Sequence, residues 1–268
     1  MTETYGILAH PAKHSLSPAM HNAAFKALKI NADFKYFDIK PEDLKKFILK
    51  VRKEKIKGLS VSSPHKESII KYLDKINKTA KKINAVNAVK NDRGKLMGTN
   101  FDWIGVQNSL LEKTAIKGKI VVVLGAGGAA SAAVFAAKKN RAKKIHILNR
   151  TVLHARKLAK KYNCKYGGFD DFKDINPDIV IQATSAGMNN LKGVELIPKK
   201  YLTKRMVVME MIYSPLITKI IKDAKAAGAK TITGEKMLLN QGFAAFIYWT
   251  KKRHPAKVME RAVYQNLK

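Results

Sequence analysis

The sequence predicts an α/β protein of two α/β lobes with a cleft between them, the C-terminal lobe a doubly wound sheet. Three observations carry this expectation. A chain of 268 residues is long for one hydrophobic core and comfortable for two. Strand-like and helix-like runs alternate along both halves. The continuous apolar run Lys119–Leu124 leads straight into Gly125-Ala126-Gly127-Gly128, as a parallel strand buried on both faces does when it turns into a helix.

In the N-terminal half, Tyr5–Ala9 reads as a strand, Pro18–Leu28 as a helix and Asp33–Ile39 as a strand. Pro41–Arg52 is a helix with proline at its first position, where the missing N–H costs nothing. Gly58–Val61 is a short strand, Lys66–Leu73 a helix, and Ala88–Asn91 with Lys95–Thr99 a hairpin across Asp92-Arg93-Gly94. These elements define a first α/β domain over 1–101. Asp102–Glu112 is a linking helix into a second domain, 102–237. There the strand at Lys119–Leu124 is followed by helix Ala129–Asn140, strand Lys144–Leu148 and helix Thr151–Tyr162. Strands Ile179–Gln182 and Met206–Glu210, helix Pro215–Ala227 and strand Lys230–Thr233 complete it. The helical pattern after Glu235 is expected to pack back on the first domain, completing it with helices over 238–268.

Composition narrows the function classes. An apolar fraction of 46% excludes a disordered chain. No apolar run reaches about eighteen residues, and Met1–Tyr5 lacks the basic and apolar segments of a signal peptide. The single cysteine, Cys164, leaves no intramolecular disulfide. A cytoplasmic protein, off the membrane, is the expectation. A metal site on His10, His14 and His21 lacks carboxylate partners and regular ligand spacing, so none is expected. The net charge of +32 suggests a polyanion partner, but the excess is almost all lysine, spread from Lys45-Lys46 to Lys251-Lys252 without aromatic interleaving. Arginine is the residue preferred for bidentate phosphate and base contacts. No specific nucleic acid is therefore expected, although a basic field helps to capture small anions.

The glycine loop carries the clearest chemistry. Gly125 allows a tight turn, Gly127 lets backbone approach a pyrophosphate, and the helix opening at Gly128-Ala129 offers N–H groups and a positive dipole end. With Ala130 last, within the tolerated G/A variation, Gly125–Ala130 is a Rossmann-type dinucleotide loop. NAD-type sites place a carboxylate on the ribose about twenty residues further on. This chain has Asn149-Arg150-Thr151 there, and a guanidinium beside amide and hydroxyl suits a 2′-phosphate, which points to NADP. Asn149 or Thr151 can equally cap the following helix.

The first lobe holds hydroxyl clusters. In His14-Ser15-Leu16-Ser17-Pro18, Ser17 reads either as an N-cap before a proline or, with Ser15, as half of a carboxylate clamp at a helix N-terminus. Ser60-Val61-Ser62 precedes Pro64-His65-Lys66. Asn87 stands in Ala85-Val86-Asn87-Ala88, and Asp102, between Phe101 and Trp103, could simply cap a helix.

Taken in order, these segments resemble the shikimate dehydrogenase family over nearly the whole chain. Ser15 and Ser17 match its S-P-x-M-H-N carboxylate signature, Lys66 its catalytic lysine, Asn87 the asparagine of A-V-N and Asp102 the aspartate of N-T-D. Asn149-Arg150-Thr151, Ala183–Met188, Tyr213 in a Y-x-P setting and Gly234–Gly242 follow in register. The resemblance implies reversible NADPH-dependent reduction of 3-dehydroshikimate to shikimate, a step of aromatic amino acid (chorismate) biosynthesis. It implies Lys66 and Asp102 as the acid–base pair, and Ser15, Ser17, Ser62, Asn87, Tyr213 and Gln241 as substrate contacts. For NADP it implies Gly125, Ala126, Gly127, Gly128, Ala129, Asn149, Arg150, Thr151 and Thr184, with Met211, Gly234 and Met237 near the nicotinamide. The partner is a small molecule, and the protein a monomer or homodimer.

Some positions depart from the family pattern. Ser60 stands for Asn, Ser62 for Thr, His65 for an apolar or aromatic residue, Phe101 for Thr, Gln182 for Asn and Glu210 for Asp. His154 stands where a second arginine often holds the 2′-phosphate. Two alternatives remain open at this level. One is a quinate or dual quinate/shikimate dehydrogenase; the other is a non-catalytic nucleotide- or nucleic-acid-binding protein on the same fold.

Overall fold

A computed structural model describes residues 2–188, 191 and 193–267, so Met1 and Lys268 of the expected first domain lie outside the described residues. The chain divides into two compact units, Met1–Phe101 with Gln241–Leu267, and Asp102–Asn240.

The first unit begins β1 (Glu3–Ala9), α1 (Ser17–Ala27) and β2 (Ala32–Asp38). A 3-10 turn at Pro41–Asp43 then leads into α2 (Leu44–Lys53), β3 (Gly58–Val61) and the single turn α3 (His65–Ser68). After β4 (Lys75–Ile76) and α4 (Lys78–Ile83) come β5 (Ala88–Asp92) and β6 (Lys95–Thr99). The sheet order is β2-β1-β3-β5-β6-β4. β1 runs parallel to β2 and β3, while β5 is antiparallel to both β3 and β6. Arg93 and Gly94 both take positive φ, 51° and 90°, which is how a two-residue hairpin turn follows the strand twist. Leu59 and Val61 of β3 join Leu8, Leu44, Phe47, Ile48 and Val51 in one core cluster. Gly58 faces the other way, where a Cβ would collide with the ring of Trp249 at 2.8 Å. On that side His21, Phe34, Phe246 and Trp249 pack as rings. Asn22 of α1 both donates to and accepts from the backbone of Phe34, covering part of the edge strand β2.

The second unit opens with α5 (Asp102–Leu111) and β7 (Ile120–Leu124). It continues through α6 (Gly128–Lys139), β8 (Lys144–Leu148), α7 (Val152–Tyr162), β9 (Lys165–Gly167), β10 (Ile179–Gln182) and β11 (Val207–Glu210). α8 (Lys219–Ala226), β12 (Lys230–Ile232) and the start of α9 (Gly234–Thr250) follow. The sheet is wholly parallel in the order β12-β11-β10-β7-β8-β9, the doubly wound order with its switch point between β7 and β10. Alternate strand residues split between two cores. Val121, Val123, Ile179 and Ile181 face one, with the alanines of α6; Val122, Leu124 and Val180 face the other. That is why these strands read as continuous apolar runs. After Thr250 the helix breaks at Lys251, with φ 60°, and α10 (Ala256–Asn266) packs on α1.

Two expectations are corrected. The expected helix Lys66–Leu73 is one α-turn followed by 3-10 backbone at Ile69–Tyr72. The expected helix from Pro215 starts only at Lys219; Thr218 holds the cap position without a capping bond, its hydroxyl being committed to Glu210. The short elements β4, α4 and β9 lie in segments to which the sequence pattern assigns no element, since runs this short carry no periodicity.

Candidate functional site

In the first unit, strand direction gathers the candidate polar groups at one sheet edge. β1 and β3 are parallel, so the loops bearing Ser15 and Ser62 leave from the same end. β5 enters antiparallel with Ala88 opposite Ser60, which puts Asn87 at that edge as well. β6 ends there at Thr99, opposite Ala88. Ser15 is half-buried and its Oγ accepts the Ser17 N–H at 3.2 Å; Ser17 is buried. The N-cap reading of Ser17 is corrected. Leu16 occupies the cap position with helical backbone, and Ser17 is the first helical residue with no capping bond.

The Ser62 N–H donates to Leu8 O at 2.9 Å, and its carbonyl accepts the His65 N–H at 2.9 Å, which starts the turn that presents Lys66. The Lys66 carbonyl accepts the Val86 N–H at 2.7 Å, and its side chain is half-buried. Asn87 is buried. It donates to Gln241 Oε1 at 3.1 Å and accepts the Phe101 N–H at 2.7 Å, so it joins the C-terminal helix to the residue preceding Asp102. Asp102 is buried and heads α5 in the second unit, to which Tyr213 also belongs.

One departure from the expected pattern acquires a local explanation. His65 is fully buried, its Nε2 2.7 Å from Ile39 O and its Nδ1 without a partner; burial lowers its pKa, so the ring stays neutral and fills an apolar position. Ser60 is buried with a hydroxyl that has no partner among the described residues. Nearby, His10 Nδ1 lies 2.7 Å from Asp38, whose pKa this bond lowers.

In the second unit the glycine loop sits at the switch point. Gly125 has φ +113°, and a Cβ there would lie 3.0 Å from Ala183 O and 3.1 Å from Thr184 Cγ2. Both the left-handed backbone and the close approach demand glycine. Gly127 differs: its φ is −87° and a Cβ would meet nothing within 4 Å. It stands at the cap position of α6 with no side-chain cap for the first helical N–H groups. Ala126 and Ala129 are half-buried on either side of it. Asn149 donates to Thr151 O at 3.0 Å, and Thr151 makes no capping bond, so neither caps α7 through its side chain. Arg150 is exposed and has no ion-pair partner among the described residues. Thr184 and Met211 are half-buried, and Met237 is buried. A Cβ at Gly234 would collide with Ile212 O, so the start of α9 packs directly on the chain before Tyr213.

Sequence reasoning missed the group linking these loops. Glu210 is fully buried; its Oε1 accepts the Met211 and Ile212 N–H groups and its Oε2 the Thr218 hydroxyl. Burial raises its pKa to about 7 against those bonds. Its signals in the sequence are a carboxylate closing an apolar strand and the departure from Asp noted there, neither of which reveals its bonds. No group of three or more metal-ligating side chains occurs among the described residues.

Three family models match the chain. They describe a shikimate dehydrogenase substrate binding domain at residues 7–89, shikimate / quinate 5-dehydrogenase at 108–210, and the shikimate 5′-dehydrogenase C-terminal domain at 234–264. The chain is similar to the shikimate dehydrogenase (NADP(+)) of Methanocaldococcus jannaschii, 43% identical and covering 99% of this chain and 98% of that protein. A crystal structure of a shikimate dehydrogenase in complex with NADP+ superposes with a TM-score of 0.93 at 41% identity, covering 100% of this chain and 96% of that one. The shikimate 5-dehydrogenase of Thermus thermophilus, solved with NADP(H) and shikimate, gives a TM-score of 0.92 at 30% identity, covering 99% and 100%.

Proposed function

Because the chain belongs to the shikimate dehydrogenase family, we propose how its own residues carry out that family's reaction. The protein is an NADP-dependent oxidoreductase that interconverts 3-dehydroshikimate and shikimate. In our reading the first unit binds substrate and the second binds NADP(H).

The observation that carries the substrate assignment is the convergence of Ser15, Ser17, Ser62, Lys66 and Asn87 at one sheet edge, with Gln241 bonded to Asn87. Ser15 and Ser17, at the start of α1, hold the substrate carboxylate, an anion favoured at a helix N-terminus. Ser62, Asn87, Gln241 and Tyr213 hold the ring hydroxyls. Lys66 donates a proton to the carbonyl oxygen as alkoxide charge develops, and takes it back in the reverse direction. Asp102 orients that ammonium.

The cofactor fits what the second unit offers. The uncapped α6 N-terminus beneath the open space at Gly127 suits a pyrophosphate, and the exposed, unpaired Arg150 suits a 2′-phosphate. Gly125, Gly128, Ala126 and Ala129 shape that loop, Asn149 and Thr151 flank Arg150, and Thr184, Met211, Gly234 and Met237 receive the nicotinamide half. NADPH, when bound, supplies the hydride. We read the enzyme as a cytoplasmic monomer or homodimer acting on a small molecule. No helix among the described residues is long and apolar enough to cross a membrane.

Replacing Lys66 tests the acid–base role. Lys66→Ala should lower kcat by about 10²–10⁴-fold, read in steady-state oxidation of shikimate. A rise confined to the KM for shikimate, with kcat intact, would contradict it.

A further inference from the structure

We propose that Glu210 is a positioning residue for the nicotinamide half of the cofactor site, one buried carboxylate holding together the loops that carry the expected contacts. This rests on the cofactor reading given above.

The two parallel strands β10 and β11 end side by side, with Gln182 in register with Glu210, and both side chains are fully buried. Glu210 Oε1 accepts the Met211 N–H at 2.8 Å and the Ile212 N–H at 2.9 Å, and Oε2 accepts the Thr218 hydroxyl at 2.7 Å. Gln182 in turn accepts the Thr184 N–H at 2.5 Å and donates to Ala186 O at 2.8 Å, closing the turn after β10.

Each end of the cluster abuts a glycine. Ala183 and Thr184 press on Gly125. Ile212 presses on Gly234, and Thr218 on Gly187. At none of these three does a Cβ have room, so the loops after β10 and β11 and the first turn of α9 are close-packed, with the Gly125 turn lying against Ala183 and Thr184 at one side.

A buried carboxylate is costly unless its bonds require it. Here an apolar side chain would strand two backbone N–H groups and a threonine hydroxyl in the interior, and the chain from Met211 to Thr218 would have to move to satisfy them. The loops that would move carry Thr184, Met211 and Gly234. The glycine loop at α6 and Arg150 are fixed by other bonds, since the Gly125 N–H donates to Leu148 O and the Asn149 N–H to Gly167 O. The effect should therefore divide along the length of the dinucleotide.

Titration calorimetry with two ligands reads that division: NADP+, and adenosine 2′,5′-bisphosphate, which carries the 2′-phosphate end without nicotinamide. Glu210→Leu should weaken NADP+ by about tenfold or more, while the bisphosphate stays within about twofold of wild type. Glu210→Gln, which keeps an acceptor for both N–H groups, should stay within about threefold for either ligand. Thr218→Val removes only the Oε2 partner and should show the same division at about threefold, which covers the case of a Glu210→Leu protein that does not fold. Equal losses for the two ligands, or no loss of NADP+ affinity in either of these two variants, would overturn the proposal. Wild-type protein that binds neither ligand would sink the cofactor reading and the proposal with it, before any variant is made.

Discussion

The two units organise their candidate sites by different means. In the first, candidate side chains are bonded to backbone and to one another: Ser15 Oγ accepts the Ser17 N–H, and Asn87 joins the Gln241 side chain to the Phe101 N–H. In the second, the glycine loop expected to meet the pyrophosphate offers backbone and empty space, and side chains such as Arg150 enter only further along the dinucleotide. Gly127 supplies room, Gly125 the close approach of Ala183, and Glu210 reaches that region only through loops that it fixes. A site made of side chains can be read from residue types in order, whereas a site made of space depends on a support that sequence order does not reveal.

The glycine loop offers the sharpest way to break the contrast. Gly127→Val should fold with stability within about 0.5 kcal/mol of wild type, because a Cβ there meets nothing. Its KM for NADP+ should nevertheless rise by about tenfold or more, the KM for shikimate staying unchanged, since the new side chain fills the space over the α6 N-terminus. Gly125→Ala should instead lose about 1–3 kcal/mol in thermal unfolding, from a φ of +113° and the approach of Ala183. Identical behaviour of the two variants would erase the distinction between space for ligand and space for the fold.

The units should also respond to pH with opposite sign. His21, fully buried among Phe34, Phe246 and Trp249, has its pKa lowered to about 3 by desolvation. The unfolded chain binds the proton first, so this contribution is whole above about pH 6.5 and is lost as pH falls toward 3. Glu210 is raised to about 7, chiefly by burial. The folded state then holds the proton that the unfolded state has released. Its contribution is whole below about pH 4.5 and is lost as pH rises through 7. Hydrogen exchange followed peptide by peptide should show protection around His21 falling on acidification and protection around Glu210 falling on alkalinisation. Parallel trends in both units would contradict this.

Much of the architecture was legible because burial wrote it into periodicity. The runs at Ile120–Leu124 and Ile179–Ile181 are apolar throughout because alternate residues enter two different cores. The turn at Arg93-Gly94 was legible from turn chemistry. Lys66 and Ser15 could be picked out only from their place in an ordered series, since lysines and serines abound. The cap at Ser17 was misplaced by one residue because a Ser-Pro pair satisfies the capping rule equally well one position further in. Likewise Pro215 suggested a helix start that the Thr218–Glu210 bond delays to Lys219. Glu210 and Gln182 stood out in sequence only as longer relatives of the residues expected there. Their role arises from strand register, which no local pattern encodes.

The most direct measurement is steady-state cofactor reduction by the purified protein with shikimate or quinate, each paired with NADP+ or NAD+. Shikimate with NADP+ should give the highest kcat/KM of the four pairs, the preference for NADP+ reflecting Arg150 and the absence of a ribose-binding carboxylate at Asn149–Thr151. No reduction with any of the four pairs would contradict an NADP-dependent shikimate dehydrogenase.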